Sequence, residues 1–156
     1  MSRLKKSFLA LIILTLLLAV FLHYWDVIYG RIMAASFFSN LKNGHFQDAS
    51  NDVYYSSQFN LGSDMRNANE LWVNRVQDLK NRGTYIQNYQ DLKVFHDDGE
   101  AVGKVTLSIM ENGKSSNYSV IFYFNGNISN YGIARFEQVF DPGQTSEWQS
   151  AISGEI

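Results

Sequence analysis

The chain has 156 residues, 13 Lys plus Arg against 15 Asp plus Glu, a formal charge of −2 and no cysteine. The lack of thiols excludes a disulfide framework, thiolate catalysis and lipid attachment through cysteine. From Arg31 onward ten cationic residues stand against fourteen acidic ones, the reverse of a nucleic-acid footprint, so nucleic acid is not an expected partner.

The N-terminus carries Arg3, Lys5 and Lys6, then an apolar run from Phe8 to Leu22 broken only by Thr15, then Tyr24, Trp25 and Tyr29. A helix continued to Ile28 would cover about 31 Å, roughly one bilayer core. This predicts a cytoplasmic tail over 1–6 and a membrane anchor over 7–29, with the aromatic residues at the far headgroup layer. Cations cluster before the helix, which places the N-terminus in the cytoplasm and the rest of the chain outside. A cleaved signal peptide shares these marks, but Ala34, Ala35 and Ser36, the small residues suited to cleavage, lie about a dozen positions past Leu22. His23 and Asp26 read as polar residues at the helix exit, and Gly30 as a hinge before the outer domain.

Residues 30–140 are long enough for one domain with a proper core. Met33, Ala34, Phe37, Phe38 and Leu41 recur at helical spacing, and Gly44 is placed to end that helix in a left-handed cap. A short second helix is expected through Phe46, Ala49 and Val53, then a loop with Tyr54, Tyr55, Phe59 and Gly62. A third is expected from Asp64 to Arg82, capped by Ser63 or Asn67, with Ala68, Trp72, Val76 and Leu79 on one face and Gly83 after it.

Beyond Gly83 the period becomes two. Tyr85–His96 reads as a strand, Asp97, Asp98 and Gly99 as a turn, and Val105, Leu107 and Ile109 as the inner face of a second strand. Asn112 and Gly113 are the favoured two-residue hairpin turn, since both positions need positive φ. Tyr118, Val120, Phe122 and Phe124 share a face of a third strand, and a fourth is expected from Ile128 to about Phe140. The fold class is therefore α+β: three helices covering one face of an antiparallel four-stranded meander.

The run from Phe37 through Gly44 to Ala49, with the later helix of Trp72, Val73, Val76 and Leu79 ending at Gly83, resembles the nuclear transport factor 2 superfamily. The resemblance covers about residues 31 to 140. It implies a cone-shaped αααββββ domain in which a curved sheet wraps a long helix and leaves a pocket at its mouth. Members include isomerases, dehydratases, cyclases and non-enzymatic binding modules, so the fold alone assigns no activity.

Acid–base candidates for such a pocket are Asp48 and Tyr54. His96, Asp97 and Asp98 fall in the expected turn, where Asp is an ordinary turn former. His23, His45 and His96 show no metal-ligand spacing, and no phosphate loop, nucleophile elbow or zincin motif is present. No catalytic residue, cofactor or metal is expected. Trp72 reads as a filler of the cone. Tyr123 and Tyr131, on the parity opposite Phe122, read as an exposed contact pair.

The tail 141–156 has Pro142 and Gly143 as a stop, then Trp148 and Ile152, four apart, as a short docking helix; a mobile tail would instead make Trp148 a recognition anchor. The sequence thus predicts a single-pass membrane protein whose extracytoplasmic domain works by binding. One inner tail, one span and one outer cone also resemble the scaffold proteins of bacterial secretion and conjugation systems. Expected partners are the bilayer through 7–29 and other envelope proteins, with a homo-oligomer as a further option. The alternative is a small-molecule binder, or an isomerase- or dehydratase-like enzyme, using the cone pocket.

Overall fold

The computed structural model describes residues 3–56, 65–127, 130–140 and 145–154. It is an α+β arrangement: α1 (Arg3–Asn43), α2 (Phe46–Ser50), α3 (Met65–Asn81), β1 (Tyr85–Asp97), β2 (Glu100–Glu111), β3 (Lys114–Asn125), β4 (Gly132–Gln138) and α4 (Glu147–Ile152). The sheet is antiparallel throughout in the order β1-β2-β3-β4. Ser63 and Asp64, the start of the expected fourth strand at Ile128, and the stop at Pro142 and Gly143 lie outside the described residues.

α1 and α3 end as their sequences dictate. Gly44 takes φ +76, and the His45 N–H reaches back to the Asn40 carbonyl at 2.9 Å while that of Gly44 bonds to Leu41 at 3.2 Å. Gly83 repeats the device at φ +89, with Thr84 bonded to Leu79 at 3.1 Å. In both, a left-handed residue lets the chain turn and satisfy carbonyls that the helix leaves open. The two tight hairpins are of one kind: Asp98 and Gly99 at φ 49 and 87, Asn112 and Gly113 at 52 and 80. Positive φ at both centres matches the twist of the flanking strands.

The core lies between the inner face of α1 and the sheet. Phe37 and Phe38 are fully buried and meet edge to face at 5.2 Å. Phe38 packs on Phe122 at 5.4 Å, and Phe37 on Phe136 at 6.0 Å. Trp72, Val76 and Leu79 close this core from α3. Each such side chain contributes about 1.5–3 kcal/mol when withdrawn from water. The outer edge of β4 is covered, because Tyr54 donates to the Ile133 carbonyl, Ile133 to Asp52, and Gly154 to Ala134 at 2.8–2.9 Å; a covered edge cannot template further strands.

Three expectations need correction. α1 runs helically through Gly30, and its bend of 48° falls between Leu11–Phe21 and Tyr24–Asn43. Gly30 is not the hinge but a close-packing point: a Cβ there would stand 3.0 Å from the Phe124 ring. The second helix stops at Ser50, because residues 52–54 leave it to pair with β4. β4 ends at Gln138, short of Phe140, which is 88% exposed. Trp148 is 2% exposed on a docked α4, as the docking reading of the tail expects, so its ring belongs to the core and the alternative of a free recognition anchor falls away. Among the described residues no single helix is long and apolar enough to cross a membrane, whereas the bent pair in α1 meets that test by length and composition.

Candidate functional site

Among the described residues a polar and aromatic grouping lies outside the core, where α1 meets the sheet. Asp26 falls on the same helical stripe as Gly30, Met33 and Phe37, so its carboxylate points at the sheet rather than away from it. His96, near the end of β1 and paired with Ala101, faces it. The His96 Nε2 sits 3.0 and 3.1 Å from the two Asp26 oxygens, with about a quarter of each side chain exposed. The Tyr24 ring stacks on His96 at 5.9 Å.

Beside this pair Tyr131 stacks on Phe124 at 5.3 Å and 11°, and touches Trp25 and Tyr29 at 6.1 Å each. Its hydroxyl is buried without a hydrogen bond, and burial together with the Asp26 charge pushes the phenol well above its usual range. An open cleft of about 470 Å³ lies alongside, lined by Asp26, Glu100, Tyr123, Phe124, Tyr131 and Arg135 among others. The Arg135 guanidinium covers the Tyr123 ring at 4.3 Å and pairs with Glu137 at 3.5 Å, while the Tyr123 hydroxyl donates to Glu137 at 3.0 Å. The pocket under Leu41, Val76 and Trp148 is apolar and holds only about 20 Å³, room for about one water and too small for an organic ligand.

The structure brings two of the sequence candidates, Tyr123 and Tyr131, to this cleft, but each takes a different partner and they form no exposed stacked pair. Parity fails between them because β4 starts at Gly132 and the register shifts at Tyr123/Phe124. Asp48 is exposed on α2, and half-buried Tyr54 spends its backbone N–H on Ile133; neither lines the cleft. Trp72 is a core residue whose Nε1 donates to the Ile152 carbonyl at 3.1 Å. The sequence reading places Asp26 at the helix exit and His96 in a turn, and singles out neither Glu100 nor Arg135. The helical spacing of Asp26 with Gly30 and Phe37 was the one available signal.

Just past α2, Asp52 has its Oδ2 buried without a partner. Burial raises this carboxyl above its usual range, and a hydrogen bond from Ser36 opposes the shift. A raised folded-state pKa means that the folded protein carries no penalty while Asp52 is protonated in both states. The penalty grows as pH rises from the unfolded value through the folded one. Asp52→Asn is therefore expected to raise the melting temperature at pH 7 and to leave it nearly unchanged near pH 3. Equal shifts at both pH values would reject a buried charge as the cause.

Among the described residues no group of three or more acidic or histidine side chains is placed to hold a metal ion. The chain matches no protein-family model, no curated protein and no solved structure.

Proposed function

We propose that this is a single-pass membrane protein with a cytoplasmic N-terminus, whose extracytoplasmic domain works as a binding or scaffold module in a bacterial envelope assembly. The observation that carries the reading is the surface of α1. From Phe8 to Phe21 its large apolar side chains are 41–66% exposed on every side of the helix, and the same helix runs on through its 48° bend into the folded domain. A helix apolar all round that the other described residues leave bare is favoured in an apolar surrounding. The order of helices and the four-stranded meander support a nuclear transport factor 2-like cone, and an interior filled by Trp72, Phe122 and Phe38 favours binding at the surface over chemistry within.

The full-length chain should resist extraction from membranes at alkaline pH, and protease added to spheroplasts should digest the region beyond residue 30 while sparing intact cells. Release into the supernatant would reject the anchor. Crosslinking in the native membrane should then recover a defined set of envelope proteins; recovery of this chain alone would reject the scaffold role. The cleft beside Asp26 and Tyr131 favours a second reading, a small polar ligand held at the mouth of the cone, in which Tyr123, Glu100 and Arg135 would supply the contacts.

A further inference from the structure

α1 does not leave its apolar character behind where the domain begins. From Asp26 on, one face of the helix is seated on the sheet through Gly30, Met33, Phe37 and Leu41. The opposite face carries Ile28 and Ile32, 51% and 65% exposed. Counted at 100° per residue these two share the helical phase of Leu14 and Phe21 in the apolar run, on the far side of the 48° bend. Tyr24 and Tyr29, 48% and 45% exposed, flank it. The stripe then ends: about one, two and three turns beyond Ile32, the same face offers Ser36, Ser39 and Asn43. This is a polarity boundary inside a continuous helix.

We infer that the Ile28–Ile32 face of α1 lies in the headgroup and upper acyl layer of the bilayer, holding the outer domain against the membrane instead of standing it off on a stalk. The inference rests on the anchor reading and adds an orientation to it. The geometry allows such a seat. Ile32 lies about 16 Å beyond Phe21 along the axis at 1.5 Å per residue. Across the 48° bend that is a height of about 11 Å when the span stands upright, and about 6 Å when the usual tilt of about 20° adds to the bend. Interfacial helices bury their apolar faces to depths of about 5–10 Å. Aromatic residues at this level match the preference of Trp and Tyr for the interface. The His96–Asp26 pair and the stack of Tyr131 with Trp25, Tyr29 and Phe124 fasten the domain to this stretch of helix. The cleft that Asp26 lines would consequently open beside the membrane surface.

The chain holds no cysteine, so a single introduced cysteine carries a bimane label at one defined position. Ile28→Cys, Ile32→Cys, Leu14→Cys and Asn43→Cys, each in the full-length protein, would be reconstituted into phosphatidylcholine vesicles with bromine at shallow or deep acyl positions. All four side chains are exposed, so the labels leave the core intact. Labels at 28 and 32 should lose about half of their emission to shallow bromine, the label at 14 should respond most to deep bromine, and that at 43 to neither. Quenching at 14 with residues 28 and 32 as unresponsive as 43 would overturn this inference and leave the anchor standing. No quenching at 14 would remove the anchor and the inference together. A disulfide-linked dimer of unlabelled Ile32→Cys without lipid quenching would give the face to a second copy and overturn the inference too.

Discussion

Trp72→Ala should lower the stability of the folded domain by about 3–5 kcal/mol, the usual cost of emptying a tryptophan site in a core, and should release α4. Trp72 is fully buried beside Phe37 at 6.1 Å, and its indole N–H is given to the carbonyl of Ile152, the last residue of α4. Arg75, one turn on, holds the neighbouring carbonyls of Ala151 and Ser153 at 2.9 and 2.6 Å. Helix ends leave such carbonyls without partners, and here α3 supplies them. The next residue, Gly154, donates to Ala134, accepts from Ser56 at 3.2 Å, and packs so closely that a Cβ would stand on the Tyr54 backbone. The tail is thus tied to α3, to β4 and to the segment covering the β4 edge. Trp72→Phe separates the two contributions. It keeps most of the apolar volume and orphans only the Ile152 carbonyl, an effect of about 1–3 kcal/mol. Denaturant melts of both variants, with limited proteolysis of the tail, provide the test. A loss below about 1 kcal/mol for the alanine variant would reject the packing account, since total stabilities run to only about 5–15 kcal/mol.

That tie between α3 and the tail was half legible from the residues. The spacing of Ala68, Trp72, Val76 and Leu79 predicted a buried helical face, and all four are buried on α3. The interval between Trp148 and Ile152 predicted a docking helix. What the pattern could not say is that Trp72 and Arg75 would meet carbonyls nearly 80 positions away, because hydrophobic periodicity reports which face is buried and not against what. The hairpins were legible for a sharper reason, since Asn112 with Gly113 and Asp98 with Gly99 meet a backbone requirement that few residue pairs satisfy.

The candidate site was hardly legible at all. Turn chemistry correctly placed Asp98 and Gly99, yet His96 is separate from it: strand parity turns its ring toward Ala101 and the inner face, onto Asp26, 70 residues earlier. In the sequence Asp26 reads as the exit of the apolar run, where a polar residue needs no further account. On β1 the alternation is also broken by a register shift between Gln90 and Lys93, with Asp91 at φ +58. A bulge of this kind resets which side chains face inward, and nothing in the composition of the strand announces it.

The close approach of Gly103 to Phe122 yields the other large effect, and it bears on how α1 is seated. The two residues are directly paired across β2 and β3, and the Phe122 ring lies over Gly103 so closely that a Cβ would come within 1.9 Å of it. The ring has nowhere to go. It is fully buried, meets Phe38 and Phe124 edge to face at 5.4 Å each, and lies 6.1 Å from Phe136. Gly103→Val should therefore cost at least the 1–3 kcal/mol typical of an overpacked core, and about the upper end of it, since the clash is with a clamped ring. Phe122→Leu alone should cost about 1–3 kcal/mol for the volume lost. In combination the two should be less harmful than their sum by about 1 kcal/mol or more, because the smaller side chain vacates the space that valine needs. Strictly additive losses in a double-mutant cycle would show that Phe122 moves aside freely and that the contact is loose. Phe122 supports Phe124, and Phe124 lies against Gly30, so Gly103→Val should also loosen the seat of α1 on the sheet. The bimane label at Ile32 should then report a wider spread of depths in Gly103→Val than in the parent protein, while the label at Leu14 keeps its place.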